Sequence, residues 1–171
     1  MRTVLYNWKR QETVGLGPIP RWKGWSTVNI SIDWKGKRKF DAVGNSGHHV
    51  TMDAKADIGG EDSGARPMEL LLMGLGGCSG IDVAMILEKG RLTLEEFRME
   101  LSGTRAEEMP QRFTDIHIHY ILKGPDLTQD KVERAIVLSN EKYCSASASL
   151  NANLTVSYEL NGERYEMGGT Q

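Results

Sequence analysis

The chain has 171 residues, of which 21 are lysine or arginine and 23 are aspartate or glutamate. A chain of this length can bury a sizeable core, so we expect one domain, or one domain with an extension. The near-balance of charge argues against a polyanion-binding surface and therefore against nucleic acid as a partner. The basic run KGKRK at residues 35–39 is interpreted as a solvated hairpin turn.

The amino-terminal segment MRTVLYNWKRQ mixes charged and aromatic residues and does not resemble a secretory leader or a membrane anchor. We therefore expect a cytoplasmic protein whose two cysteines, Cys78 and Cys144, are reduced at rest. Glycines and prolines without periodicity predict an irregular extension over residues 1–24, with a candidate strand at residues 3–8. Residues 25–171 are then the folded domain.

Alternating polar and apolar residues predict an antiparallel meander at the start of this domain. Turns are expected at Gly36 and at the segment GNSG. The loop at residues 58–67 ends on Pro67, a residue suited to the first turn of a helix. The three strands are expected at residues 25–34, 38–43 and 49–54.

One of the longest apolar runs is MELLLMGLGGCSGIDVAMILE, residues 68–88, which is apolar on nearly every helical face. It predicts either a membrane span or a fully buried helix. Glu69, Asp82 and four internal glycines would be costly in lipid, which favours the central helix of a soluble fold. Each glycine lowers helix stability by about 1 kcal/mol. We therefore expect another backbone to approach there, from a neighbouring helix or from a second subunit.

The carboxyl-terminal half predicts strands and helices in alternation. A charged turn around Pro110 joins the first two strands, and Asp126 or Thr128 caps the first helix. The elements are expected, in order, as strands at residues 94–104 and 112–122, an amphipathic helix at 128–141, a short helix beginning at or beside Cys144, and a closing strand at 153–160.

The two cysteines are the candidate reactive residues. A cysteine on an apolar helix is commonly a small core hydrophobe, and this interpretation of Cys78 stays open. Cys144 precedes a predicted helix start, where unpaired backbone N–H groups are expected to lower the pKa of a thiol. A thiolate attacks a peroxide, and the sulfenic acid formed condenses with a second thiol. The residues lie 66 positions apart, so a C-x-x-C motif is excluded and only the fold could pair them.

Two other motifs carry less weight. GLGGCSG lacks the last glycine of a dinucleotide-binding G-x-G-x-x-G, because Ser79 stands there. Asp115, His117 and His119 share one strand face at a spacing that could hold a metal, but alternation places them on the solvated side. A zinc site made by the two cysteines and a histidine is a sharper alternative. We expect neither a metal nor a bound cofactor.

The stretches PMELLLMGLGGCSGIDV and EKYCSASASL are similar to the two cysteine motifs of the osmotically inducible protein C (OsmC) and organic hydroperoxide resistance superfamily. The resemblance covers about residues 25–160 and is closest to a less characterised OsmC-like branch. It implies an α+β, OsmC-like fold, with antiparallel sheets wrapped around a long buried central helix. It also implies an intertwined homodimer, with active sites at the interface and dimer packing at Gly74, Gly76, Gly77 and Gly80.

On this resemblance, Cys78 is the peroxidatic thiol and Cys144 the resolving thiol of a peroxidase. The substrate would be a small organic hydroperoxide, and an external dithiol would restore the pair. The superfamily's peroxidases carry a catalytic glutamate directly after the proline of the helix motif, where this chain has Met68 followed by Glu69. Glu69 lies nine residues before Cys78, so it cannot touch that sulfur within its own chain. It is a weaker candidate that a second subunit would have to deliver, and the alternative is a first-turn acid that complements the helix dipole.

The superfamily's peroxidases also carry an arginine in the early hairpin, where this chain has His48 and His49. Two functions therefore stay open. The first is a peroxidase of oxidative stress defence. The alternative is a non-catalytic module of the same fold, which binds a small apolar or acyl ligand and whose cysteines only sense oxidation. Asp82, one turn after Cys78, is interpreted as solvent-facing or partnered.

Overall fold

A computed structural model describes residues 27–170 of the chain, and their side chains as far as residue 167. The predicted extension at residues 1–24, with its candidate strand, lies outside this range. Within it, the predicted strands and helices occur in the predicted order, followed by one strand that was not predicted. The elements are β1 (Ile30–Trp34), β2 (Phe40–Gly44), β3 (His49–Met52), α1 (Pro67–Lys89), β4 (Glu96–Arg105), β5 (Phe113–Lys123), α2 (Gln129–Leu138), α3 (Ser145–Ala148), β6 (Asn153–Leu160) and β7 (Glu163–Thr170).

The last strand, β7, was not predicted from the sequence. It forms a hairpin with β6 through Asn161 and Gly162, both of which have positive φ. Asn-Gly between two extended segments is a typical signal for this two-residue turn. The prediction that β6 closes the fold is therefore wrong.

The strands form two sheets. The first is the expected antiparallel meander, with the order β1-β2-β3. The second has the order β4-β5-β6-β7, and β5 and β6 run parallel, with Ile118 opposite Val156. The expectation of antiparallel sheets throughout is wrong for this pair, because α2 and α3 return the chain to the end of the sheet where β5 begins. A parallel pair requires such a crossover.

The helix α1 packs one of its faces against the second sheet. Leu75, Val83 and Leu87 are buried in one cluster with Ile118 and Tyr120 of β5. Among the described residues, α1 is the helix that is long and apolar enough to cross a membrane by length and composition. Its packing against the sheet makes it the core helix of the domain, as the sequence predicted.

The opposite face of α1 is exposed. Leu71, Met73, Ile81 and Met85 are between 45% and 63% accessible to solvent in the single chain. The prediction of a helix buried on every side is therefore wrong for one chain. The remaining elements cover the face that meets β4 and β5 and leave the other face open.

The glycines of α1 divide between these two faces. A Cβ atom added to Gly76 or Gly80 would lie 3.0 Å from a side-chain atom of Leu101 or Met99 on β4. These two glycines therefore let α1 pack closely on the sheet. Their close neighbours are side chains of the same chain, whereas the backbone of a neighbouring helix or of a second subunit was expected. Gly74 and Gly77 have no such neighbour within 4 Å. They lie on the open side.

Candidate functional site

The structure brings the two cysteines together. Cys78 lies in the middle of α1, and Cys144 is the residue that precedes α3. Their Sγ atoms lie within 4.8 Å of each other, and both thiols are free. Two sulfurs that are 66 positions apart in the chain are thus near enough to form a bond after a small movement.

Cys144 is positioned by an irregular turn. The helix α2 stops at Leu138, earlier than predicted, and the chain continues as one turn of π-helix over Ser139–Tyr143. The backbone N–H of Cys144 donates to the carbonyl of Ser139 at 2.8 Å. The Ser147 hydroxyl donates to the Cys144 carbonyl, also at 2.8 Å. Both the N–H and the carbonyl of Cys144 are therefore hydrogen-bonded at the end of the π turn. Single turns of π-helix are frequent at functional sites.

The environment of Cys144 favours the neutral thiol. Its side chain is 3% exposed, and burial raises the pKa of the thiol. A hydrogen bond from the backbone N–H of Ser147 acts in the opposite direction, while the neighbouring Cys78 raises the pKa further. The expectation of a lowered pKa at this helix start is therefore wrong, because loss of water around the sulfur outweighs the N–H of a four-residue helix.

Cys78 is more accessible than Cys144, since it is half-buried. Asp82 follows it by one turn of α1, and a carboxylate oxygen of Asp82 lies within 4.8 Å of both sulfurs. The Ser139 hydroxyl donates to Oδ2 of this carboxylate at 3.4 Å. Asp82 is thus partnered, and it also belongs to the cysteine site.

A polar cluster that the sequence did not predict lies beneath the cysteines. The hydroxyl of Ser79 is hydrogen-bonded to the hydroxyls of Tyr120 at 2.8 Å and Ser139 at 3.1 Å. It also donates to Oδ1 of Asn140 at 3.3 Å. Burial raises the pKa of Tyr120, so its phenol stays protonated. The one available signal was the serine directly after the cysteine in GLGGCSG.

Glu69 does not reach this site. Its carboxylate accepts a hydrogen bond from the backbone N–H of Arg66 at 2.9 Å and closes the first turn of α1. Met68 lies in a groove of about 450 Å³, whose cationic residues are Arg38, Lys55, Arg66 and Arg105. This groove could not be predicted from the sequence, because its arginines come from three separate parts of the chain.

The histidines also lie away from the cysteines. His117 binds the hydroxyls of Thr155 and Ser157 at 2.9 and 2.8 Å, and His119 binds that of Ser157 at 2.7 Å. His49 binds Asp41 at 2.7 Å in the first sheet. Within residues 27–170, the group with the geometry of a metal site is Cys78, Asp82 and Cys144, so Asp82 takes the place expected for a histidine.

The chain is similar in sequence and fold to known proteins. Residues 60–159 match the family model for OsmC-like protein. Over 135 aligned residues, the chain is 41% identical to Protein YhfA of Escherichia coli strain K12. The alignment covers 78% of this chain and 98% of that protein.

Two solved structures are similar in fold. A hypothetical protein from Aquifex aeolicus VF5 has a TM-score of 0.71 at 32% identity and covers 80% of this chain and 98% of its own. An organic hydroperoxide resistance protein OsmC from Legionella pneumophila has a TM-score of 0.60 at 18% identity. The match covers 81% of this chain and 98% of the Legionella chain. With the family model and the YhfA relative, these matches confirm the resemblance seen in the two cysteine motifs: the chain belongs to the OsmC-like protein family.

Proposed function

We propose that the chain is a cytoplasmic, homodimeric redox protein that reduces organic hydroperoxides through Cys78 and Cys144. The observation that carries this proposal is the approach of the two Sγ atoms to within 4.8 Å. Family membership supports it, because a relative of the same fold is named for organic hydroperoxide resistance. Two free thiols also suit a reducing compartment.

The exposure of the two thiols supports their assignment to different roles. Cys78 is half-buried, so a small peroxide reaches it more readily than Cys144, which is 3% exposed. Burial raises the pKa of Cys144, so this residue is a protonated thiol until Cys78 has been oxidised. Cys78 is therefore the peroxidatic residue and Cys144 the resolving residue.

The reaction consumes two thiols for each peroxide. The Cys78 thiolate attacks one oxygen of the O–O bond, the bond breaks, and the alcohol leaves after taking a proton. The Cys78 sulfenic acid is then attacked by Cys144, which forms the disulfide and releases water. An external dithiol reduces the disulfide by thiol–disulfide exchange and returns both residues to the reduced form.

Exposed apolar residues support the homodimer. The open face of α1 carries Met73 and Ile81, and the first sheet exposes Ile30, Ile32 and Trp34. Apolar patches of this kind commonly mark protein interfaces. A second copy would cover them. Glu69 lies nine residues before Cys78 on α1, too far to reach that sulfur within its own chain, so only the Glu69 of a second copy would enter the site.

The proposal is tested by titrating the reduced protein with cumene hydroperoxide while free thiols are counted. We expect the loss of two thiols per peroxide, at a rate far above that of a free thiol. The Cys78→Ser variant should lose its remaining thiol only at the free-thiol rate. The Cys144→Ser variant should instead accumulate a sulfenic acid that dimedone traps. Oxidation of the wild-type protein at the free-thiol rate would contradict the proposal.

A second candidate function is supported by the groove of about 450 Å³ at the start of α1. Its apolar lining includes Phe40, Met52 and Ile58, and Arg38 and Arg105 could hold an acidic head group. Such a groove suits a non-catalytic module for a small apolar or acyl ligand. Native mass spectrometry of the purified protein should then detect a bound ligand, whereas a ligand-free dimer would count against this function.

A further inference from the structure

We infer that Cys78, Cys144 and Asp82 form an exchangeable binding site for a thiophilic divalent metal ion such as Zn²⁺. Their two Sγ atoms and one carboxylate oxygen lie within 4.8 Å of one another. Zinc binds thiolate sulfur at about 2.3 Å and carboxylate oxygen at about 2.0–2.2 Å. One ion between the three atoms therefore reaches all of them after small side-chain rotations. The inference requires the two thiols to be reduced and does not require them to react with peroxide.

The backbone fixes these ligands before any ion arrives. Cys78 and Asp82 are separated by one turn of the 23-residue helix α1, so they share one face. Cys144 is held opposite them by the hydrogen bond from its N–H to the carbonyl of Ser139. The Ser139 hydroxyl also donates to Asp82 at 3.4 Å. Hydrogen bonds of this kind orient metal ligands and strengthen binding.

The surroundings favour an ion that can enter and leave. A cavity of about 270 Å³ adjoins the site and is lined by Asp82, Lys89 and Tyr143 among others. It meets the site at Asp82, the one of the three ligands that lines it, so an ion or a fourth-ligand water molecule would enter from the Asp82 side. Structural zinc sites are closed by four protein ligands, whereas sites with three keep an open position. Two thiolates and a carboxylate exceed the charge of a divalent ion by one, so the loaded site would carry one negative charge.

Metal binding and oxidation of the pair exclude each other. Binding of one ion to the reduced pair releases the two thiol protons to solvent. One organic hydroperoxide oxidises the metal-bound pair of thiolates, and two protons are taken up. The products are the disulfide, the alcohol, one water and the free ion. The disulfide removes both sulfur ligands, so the ion must leave. A bound ion therefore slows oxidation of the thiols. Once a hydroperoxide has oxidised them, the ion is released.

The test uses Co²⁺ as a spectroscopic probe of the reduced, chelator-treated protein. We expect one Co²⁺ per chain with sulfur-to-cobalt charge-transfer absorption, which one equivalent of Zn²⁺ abolishes. Asp82→Asn should weaken Co²⁺ binding by at least about tenfold. Loss of a group that only supports a ligand already lowers metal affinity by this much, and Asp82 is itself a proposed ligand. Glu88→Gln removes an exposed acid of the same helix and should leave the affinity unchanged. Zn²⁺ should also slow thiol oxidation by cumene hydroperoxide in proportion to occupancy.

Three results would overturn the inference. The first is no charge-transfer band in a protein whose two thiols are counted as reduced. The second is equal affinity in the wild type and in folded Asp82→Asn, and the third is retention of the ion by the disulfide form. Failure of peroxide reduction with intact cobalt binding would overturn the proposed function alone. The two proposals therefore fail separately.

Discussion

The two faces of α1 have similar apolar side chains but different surroundings. On the inner face, Leu75, Val83 and Leu87 are at most 1% exposed. On the outer face, Met73 and Ile81 are 59% and 63% exposed. The difference shows that a helix can be apolar on all sides although its own chain covers only one side. This exposed apolar face is the main structural support for the proposed homodimer.

The largest effect should come from a matched pair of leucines on these faces. Leu75 is fully buried, whereas Leu71, one turn earlier, is 45% exposed. Leu75→Ala should lower the free energy of unfolding by about 2–5 kcal/mol, because it leaves a cavity in the core. Leu71→Ala should change it by less than about 0.5 kcal/mol in dilute protein. Urea unfolding at several protein concentrations measures both. Equal losses at the lowest concentration would mean that the two faces do not differ in the single chain.

A charge on the outer face should separate the subunits. Ile81→Lys places an ammonium at an exposed apolar position, and in the proposed dimer this charge would be buried against apolar side chains of the partner. We expect self-association to weaken by about 100-fold or more, since burying an unpaired charge costs several kcal/mol. Analytical ultracentrifugation measures the dissociation constant. Met109→Lys, at an 84% exposed position in the loop between β4 and β5, is the control and should leave the dissociation constant unchanged. A wild-type protein that is monomeric at high concentration would refute the proposed dimer.

The inner face also contains the buried Ser79–Tyr120 hydrogen bond, which sharpens the comparison. Tyr120→Phe removes the hydroxyl that binds Ser79 at 2.8 Å. We expect a loss of about 1–2 kcal/mol in the free energy of unfolding, because the loss of a buried hydrogen bond costs this much. Tyr165→Phe removes an exposed hydrogen bond to Glu163 and should cost less. The order of the two losses is read from urea unfolding, and the reverse order would contradict a supporting role for the buried cluster.

The smallest effect should come from the glycines. Gly77→Ala meets open space, so it should stabilise the monomer by up to about 1 kcal/mol through helix propensity. In Gly76→Ala the new Cβ lies 3.0 Å from Leu101, so the contact opposes that gain. Both are measured in the Ile81→Lys background, where dimerisation does not interfere. A larger gain from Gly76→Ala than from Gly77→Ala would contradict the assignment of the two faces.

The sequence by itself determined the family, the order of the elements as far as β6, and the residues on which the function is proposed. The long apolar run predicted α1, and alternation predicted the strands of the first sheet and β4 to β6. These signals were readable because hydrophobic periodicity and turn residues act locally along the chain. The two cysteine motifs were readable because each is a short contiguous stretch.

The tertiary structure alone decided the distance between the sulfurs, the parallel pairing of β5 and β6, and the cluster of Ser79 with Tyr120. It also placed Asp82 beside both sulfurs, turned only one face of α1 to the core, and reversed the expected direction of the Cys144 pKa shift. Each of these depends on groups that are far apart in sequence. Burial, dielectric environment and contact across elements are properties of the packed chain, so local patterns cannot fix them.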